Sequence, residues 1–102
     1  MPVLILRIYM LICLDYDNTY TLDPRLWMHF IKSAIRRGHE VICCTMRYKY
    51  EAAGMCPELT STIHVFYSGR LAKKPFLSKV GIEPDVWIDD SPHWIVQDAL
   101  DS

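Results

Sequence analysis

Short apolar runs alternate with segments of helical period along this chain, and Pro and Gly punctuate the joints. Met10–Leu14 (MLICL) contains no polar residue, the pattern of a strand buried on both faces. Asp23-Pro24 then opens a helix, with the carboxylate as N-cap and the proline at the first helical position, where its missing N–H costs nothing. Leu26, Trp27, Phe30, Ile31, Ala34 and Ile35 recur at helical spacing and predict one apolar stripe. Arg36 and Arg37 suit the negative end of the helix dipole, and Gly38 supplies the stop. Val41–Cys44 (VICC), Ile63–Tyr67 (IHVFY) and Val86–Ile88 (VWI) predict three more strands. A helix from near Pro75 to Gly81 turns Phe76, Leu77 and Val80 inward. Ser91-Pro92 reads as the cap and first turn of a last helix carrying Trp94, Ile95 and Leu100. Met46–Ser61 is less regular: a helical turn around Tyr50–Ala53, broken by Gly54 and Pro57.

Strands alternating with helices predict an α/β fold, a three-layer Rossmann-like parallel sheet of about four strands. A length of 102 residues fits one domain, residues 1–102. Hydrophobic residues make up 51% and the net charge is −1, which excludes a disordered chain and a broadly cationic nucleic-acid binder but leaves room for a local basic patch. Val3–Leu14 is interrupted by Arg7 and stops at Asp15, short of the roughly 20 apolar residues that a membrane span needs. No small-residue cleavage site follows it, so the expectation is a cytoplasmic protein with no membrane partner. Residues 1–9 then form an N-terminal extension or an extra strand, and Met10 is an alternative start. Cys13, Cys43, Cys44 and Cys56 form no Cys-x-x-Cys pair. With two of them adjacent in an apolar run, they read as buried, reduced thiols rather than a disulfide framework or a zinc site.

Ligands of parallel sheets bind outside the carboxyl ends of the strands, so the residues just after each strand carry the chemistry. After the first come Asp15-Tyr16-Asp17-Asn18-Thr19, after the second Thr45-Met46-Arg47, after the third Ser68-Gly69-Arg70 leading to Lys73 and Lys74, and after the fourth Asp89-Asp90. Carboxylates, a hydroxyl and a lysine therefore converge on one edge. Clustered carboxylates raise one another's pKa unless a cation sits among them, and an all-oxygen donor set suits Mg²⁺. Neutralised in that way, a phosphate is open to attack by an aspartate, while a second carboxylate protonates the leaving oxygen and later activates water.

Asp-x-Asp-x-Thr after the first strand, Thr45 at the end of the second, a Lys before a helix and Asp-Asp after the fourth occur in this order over residues 10–95. This set resembles the haloacid dehalogenase-like (HAD) hydrolase superfamily. The resemblance implies a HAD-like sheet in the order 3-2-1-4 and a phosphatase. Asp15 would be nucleophile and metal ligand, and Asp17 general acid/base with its backbone carbonyl on the metal. Thr45 would hydrogen-bond the phosphoryl group, and Lys73 or Lys74 would balance the charge. Asp89, Asp90 or both would complete an Mg²⁺ site. Asn18, Thr45, Met46 and Arg47 are the candidate substrate contacts. Asn18 replaces the family's usual Gly, and Asn tolerates left-handed backbone. The gaps from Asp17 to Thr45 and from Thr45 to Lys73 are each too short for a cap domain. Capless relatives act on extended substrates or borrow a lid from another subunit. The expected partners are therefore a phosphorylated substrate (a nucleotide, a nucleic-acid end or a small phosphomonoester) and, as a candidate, a second copy in a homodimer.

Several residues keep two readings. Tyr16 stacks a base or packs on the sheet. Arg47 contacts substrate or is a solvated loop cation. Tyr48 and Tyr50 form an aromatic substrate face or pack within their loop. His29, His39 and His64 have no partner at ligand spacing. A second function class, a HAD-like module that binds a phosphorylated ligand with little or no turnover, shares every one of these residues.

Overall fold

The computed structural model describes residues 8–100. Ile8, Tyr9 and Met10 are exposed and precede the first strand; the remainder of the expected N-terminal extension or strand lies outside the described residues. Four strands form one parallel sheet: β1 (Leu11–Leu14), β2 (Glu40–Thr45), β3 (His64–Tyr67) and β4 (Val86–Ile88), in the order β3-β2-β1-β4. Four α-helices connect or follow them: α1 (Pro24–Arg36), α2 (Pro57–Thr62), α3 (Lys73–Ser78) and α4 (His93–Val96). Short 3₁₀ turns occupy Tyr20–Leu22 and Lys49–Gly54. Among the described residues no helix is long and apolar enough to cross a membrane.

The two-residue period of the strands divides the core. Ile12 and Leu14 of β1, Val41 and Cys43 of β2, Val65 and Tyr67 of β3 and Ile88 of β4 meet α1 and Leu59 of α2 on one face. Cys13, Ile42, Cys44, Phe66 and Trp87 meet Phe76 and Leu77 of α3 on the other. Both faces of the sheet are thus covered, which explains why the strand sequences are continuously apolar rather than alternating. The chain winds from β1 through β2 to β3 with helices on one face, then returns past β1 to β4 with α3 on the opposite face. The strand order therefore reverses between β1 and β4, where a doubly wound sheet opens a crevice.

Local signals and tertiary packing agree at most boundaries. Asp23 Oδ1 accepts from the Leu26 N–H at 3.1 Å, and α1 ends into Gly38 at φ +90°, a left-handed position with open space around it. Four expectations change. The buried face of α1 is Met28, Ile31 and Ala34, flanked by Trp27 and Phe30; Leu26 and Ile35 are 55% and 44% exposed because they lie at the margin and in the last turn. The helical turn expected around Tyr50–Ala53 is the 3₁₀ segment Lys49–Gly54, but Pro57 also starts a helix, α2, in the first-turn position that Pro24 takes in α1. α3 starts at Lys73, two residues before Pro75, and Val80 lies beyond its end and is 62% exposed. The last helix is only His93–Val96, and Leu100 is exposed beyond it. Of the four thiols, all free, Cys56 is half-buried and the others are buried.

If Ile31 anchors α1 and Leu26 does not, truncation separates them. Ile31→Ala should cost ~2–5 kcal/mol and Leu26→Ala under ~1 kcal/mol, read from urea unfolding midpoints at constant m-value.

Candidate functional site

The residue after β1 still belongs to the sheet's hydrogen bonding, since Asp15 N–H donates to Ile88 O at 2.9 Å. Its carboxylate is thereby carried to the β1/β4 crevice. The following loop turns back through Asn18 at φ +62°, the left-handed conformation expected of it, and Asn18 N–H donates to Thr21 Oγ1 at 2.9 Å. Thr19 closes the loop onto the fourth strand. Its hydroxyl accepts from Asp90 N–H at 3.2 Å and donates toward Asp15 Oδ2 at 3.0 Å, with Asp90 Oδ1 a longer alternative at 3.3 Å. The last member of Asp-x-Asp-x-Thr therefore ties the ends of β1 and β4 together, a role carried by its place in the motif.

Lys73, only 2% exposed, lies at the centre. Its Nζ donates to Asp15 Oδ1 at 2.7 Å and to Asp89 Oδ2 at 2.6 Å. The C-terminal segment fixes the start of α3 that carries it: Ala72 N–H donates to Asp98 Oδ1 at 2.7 Å, and Ala99 N–H to Arg70 O at 2.8 Å. Lys74, one residue on, is exposed. Of the two candidate lysines, the structure brings Lys73 to the carboxylates and turns Lys74 away.

A cavity of about 250 Å³ opens here, lined by the sequence candidates Asp15, Asp17, Asn18, Thr45, Met46, Lys73, Asp89 and Asp90. Arg70, Ser91 and Trp94 line it too, and no role was expected of them. Arg70 stands at a strand end, the one signal that marks it; nothing local marks Trp94. Oxygens of Asp15, Asp89 and Asp90 all lie within 4.8 Å of one another, a set able to hold a metal ion. The Asp17 carboxylate is not in that set. It takes a two-pronged pair with Arg47, Nε to Oδ2 at 3.0 Å and Nη2 to Oδ1 at 2.8 Å. Arg47 does not line the cavity. Its guanidinium lies 5.1 Å from the centroid of the Tyr16 ring, and its Nη1 donates to Glu51 O at 3.3 Å. The expected substrate contact is thus a partner of Asp17. Tyr16 packs rather than offering a face to a base: it is buried, stacked on Tyr20 at 5.7 Å, and its hydroxyl accepts from Cys56 N–H at 2.8 Å.

Charge explains the protonation states. Three carboxylates crowd one ammonium. Burial pushes Asp15 up to about 6, against the opposing pull of Lys73, and Asp90 and Asp89 add to the rise. Burial also works against the Lys73 charge, but Asp15 and Asp89 outweigh it and hold the ammonium above its ordinary value. Asp90 is held below the usual carboxylate range, first by a hydrogen bond from Asp15 and then, against burial, by Thr19 and Ser91. Asp17 holds the Arg47 guanidinium above its usual value.

Backbone hydrogen bonds tie the loops that leave β2 and β3 to each other at the rim, with Ser68 N–H donating to Thr45 O, Gly69 N–H to Arg47 O and Arg70 N–H to Met46 O at 2.9, 3.2 and 2.9 Å. Arg70 has φ +73°, a left-handed position costing roughly 1–3 kcal/mol for a residue with a Cβ. Its own Nη1 bond to Met46 O at 2.6 Å helps to hold it there. Strain of this kind gathers at functional sites.

No known family model, curated protein or solved structure matches this chain.

Two outcomes check this geometry. Lys73→Met leaves Asp15 and Asp89 buried without their cation and should cost ~3–5 kcal/mol at neutral pH, whereas Lys74→Met should stay within ~0.5 kcal/mol, both by urea unfolding. The folded pKa of Asp15 lies above its ordinary 3.8, so the folded protein binds more protons than the unfolded chain between pH 4 and 6. With chelator present, the stability of the wild type relative to Asp15→Asn should therefore fall as pH rises through that window. A flat difference in melting temperature would contradict the assigned shift.

Proposed function

We propose that this protein is a HAD-like, magnesium-dependent phosphomonoesterase without a cap domain. The observation that supports it best is the meeting of Asp15, Lys73, Asp89 and Asp90, from three separated stretches of chain, in one cavity that Thr45 also lines. An ornamental acidic cluster does not need a buried lysine bonded to two of its members.

The donors fit the metal. Asp15, Asp89 and Asp90 offer oxygens only, the preference of a small hard dication, and one ammonium leaves their combined charge uncompensated. Asp17 would add its backbone carbonyl. When bound, the ion supplies positive charge that offsets repulsion between carboxylate and phosphate.

The residues then divide the work. An Asp15 oxygen attacks phosphorus, forming an acyl phosphate bond as the ester P–O bond breaks. Asp17 gives its proton to the departing oxygen. Water next attacks the phosphorus while Asp17 takes back a proton, and inorganic phosphate leaves with Asp15 restored as a carboxylate. Thr45 and Lys73 hold the phosphoryl oxygens and the charge. For this cycle Arg47 must release or share Asp17, whose two oxygens it engages.

That same pair favours a second reading, a module that binds a phosphorylated ligand with little turnover. Phosphate release from a panel of phosphomonoesters separates the two. The phosphatase reading expects release with Mg²⁺, loss with chelator, and a drop of more than about a thousandfold in Asp15→Asn. Activity retained in that variant sinks it. Silence across the panel from folded protein, with tight binding of an unchanged ligand, selects the binding module.

A further inference from the structure

The rim carries a feature that phosphate chemistry alone does not use. The guanidinium of Arg70, a cavity residue, lies 5.0 Å from the ring centroid of Tyr48, and Tyr48 stacks on Tyr50 at 5.2 Å with the ring planes 5° apart. Tyr50 is 80% exposed, so the end of this stack stands open to water. The stack is anchored at its base. Glu51 Oε1 accepts from Tyr48 N–H at 2.8 Å and pairs with Arg70 Nη2 at 3.5 Å. Gly69, at φ +59°, lets the Tyr48 ring lie against the backbone, since a Cβ there would sit 3.0 and 3.1 Å from two ring carbons. Backbone hydrogen bonds from Gly69 to Arg47 and from Arg70 to Met46 join the two loops beneath.

An exposed tyrosine stacked flat on a second ring, itself in contact with a cation, is preorganised for one kind of ligand, a planar π-system. Arg70, which lines the cavity and contacts Tyr48, joins that surface to the cavity, so a ligand with both an anionic group and a ring could use the two together. We infer that Tyr48 and Tyr50 form the base-stacking subsite of this cavity, and that the substrate is a phosphorylated nucleoside, free or at the end of a nucleic acid. The inference rests on the phosphatase reading for turnover but not for binding. Stacking on Tyr50 tolerates any base, because each has a π-face, so selectivity falls on the presence of a base rather than its identity.

The test compares adenosine 5′-monophosphate with ribose 5-phosphate, which lacks the ring, in wild type, Tyr50→Ala and Tyr50→Phe. Exposure of Tyr50 makes these variants safe for folding. The ratio of kcat/KM for the nucleotide to that for the sugar phosphate should fall five- to thirtyfold in Tyr50→Ala and return in Tyr50→Phe. Calorimetric binding to Asp15→Asn, alone and combined with Tyr50→Ala, should show the same preference without turnover. A 3′- or 5′-phosphorylated oligonucleotide tells the source: a tenfold gain over the mononucleotide assigns the chain end, and no gain assigns the free nucleotide. If both phosphates are hydrolysed equally and Tyr50→Ala leaves their ratio unchanged, the subsite is overturned while the phosphatase stands. If nothing is hydrolysed but Tyr50-dependent nucleotide binding persists, the subsite stands and the phosphatase falls. Absence of both activity and nucleotide binding overturns the two together.

Discussion

A buried ammonium must be paired, and in this protein that requirement organises the site. Lys73 is almost wholly removed from water, and its Nζ is held by Asp15 at the end of β1 and Asp89 just past β4. Breaking either pair would strand a charge in a low-dielectric pocket, at a cost of several kcal/mol. The start of α3, the loop after β1 and the turn after β4 are therefore placed relative to one another by one side chain. Thr19 reinforces the arrangement by bridging Asp15 and Asp90, and Asp98 fixes the backbone before Lys73 from the far end of the chain.

The topology decides where this charge sits. Strand order reverses between β1 and β4, so the segments leaving those strands diverge and leave a crevice at their carboxyl ends. Carboxylates from both strands face it. Burial in the crevice raises the Asp15 pKa against the pull of Lys73, and the neighbouring Asp90 and Asp89 add to the rise.

The second half of the site works by a different rule. The loops after β2 and β3 are hydrogen-bonded to each other through their backbones, so Met46, Arg47, Gly69 and Arg70 form one linked rim. On this rim the two arginines part. Arg47, two residues after Thr45, turns to Asp17 and the Tyr16 ring, while Arg70, held in strained backbone, lines the cavity and supports the tyrosine stack.

Local chemistry in the sequence determined the elements and the edge on which polar groups gather. Apolar runs set the four strands, the central β1 and β2 buried and the edge strands β3 and β4 partly so; Asp23-Pro24 and Gly38 bound α1 because capping and left-handed backbone are local needs. Pro57 reads in the sequence as the break after the Tyr50–Ala53 turn, and that it also opens a helix shows only once Leu59 is seen buried. The choice between Lys73 and Lys74 was not legible, since neighbours on a helix differ by about 100° in direction and only the position of α3 against the sheet says which one points inward. Nor was the pairing of Arg47 with Asp17, the withdrawal of Tyr16 into the core, or the stack of Arg70, Tyr48 and Tyr50. Each of these joins residues from different loops, and a guanidinium or a ring commits to one partner among several only when the folded chain brings that partner within reach.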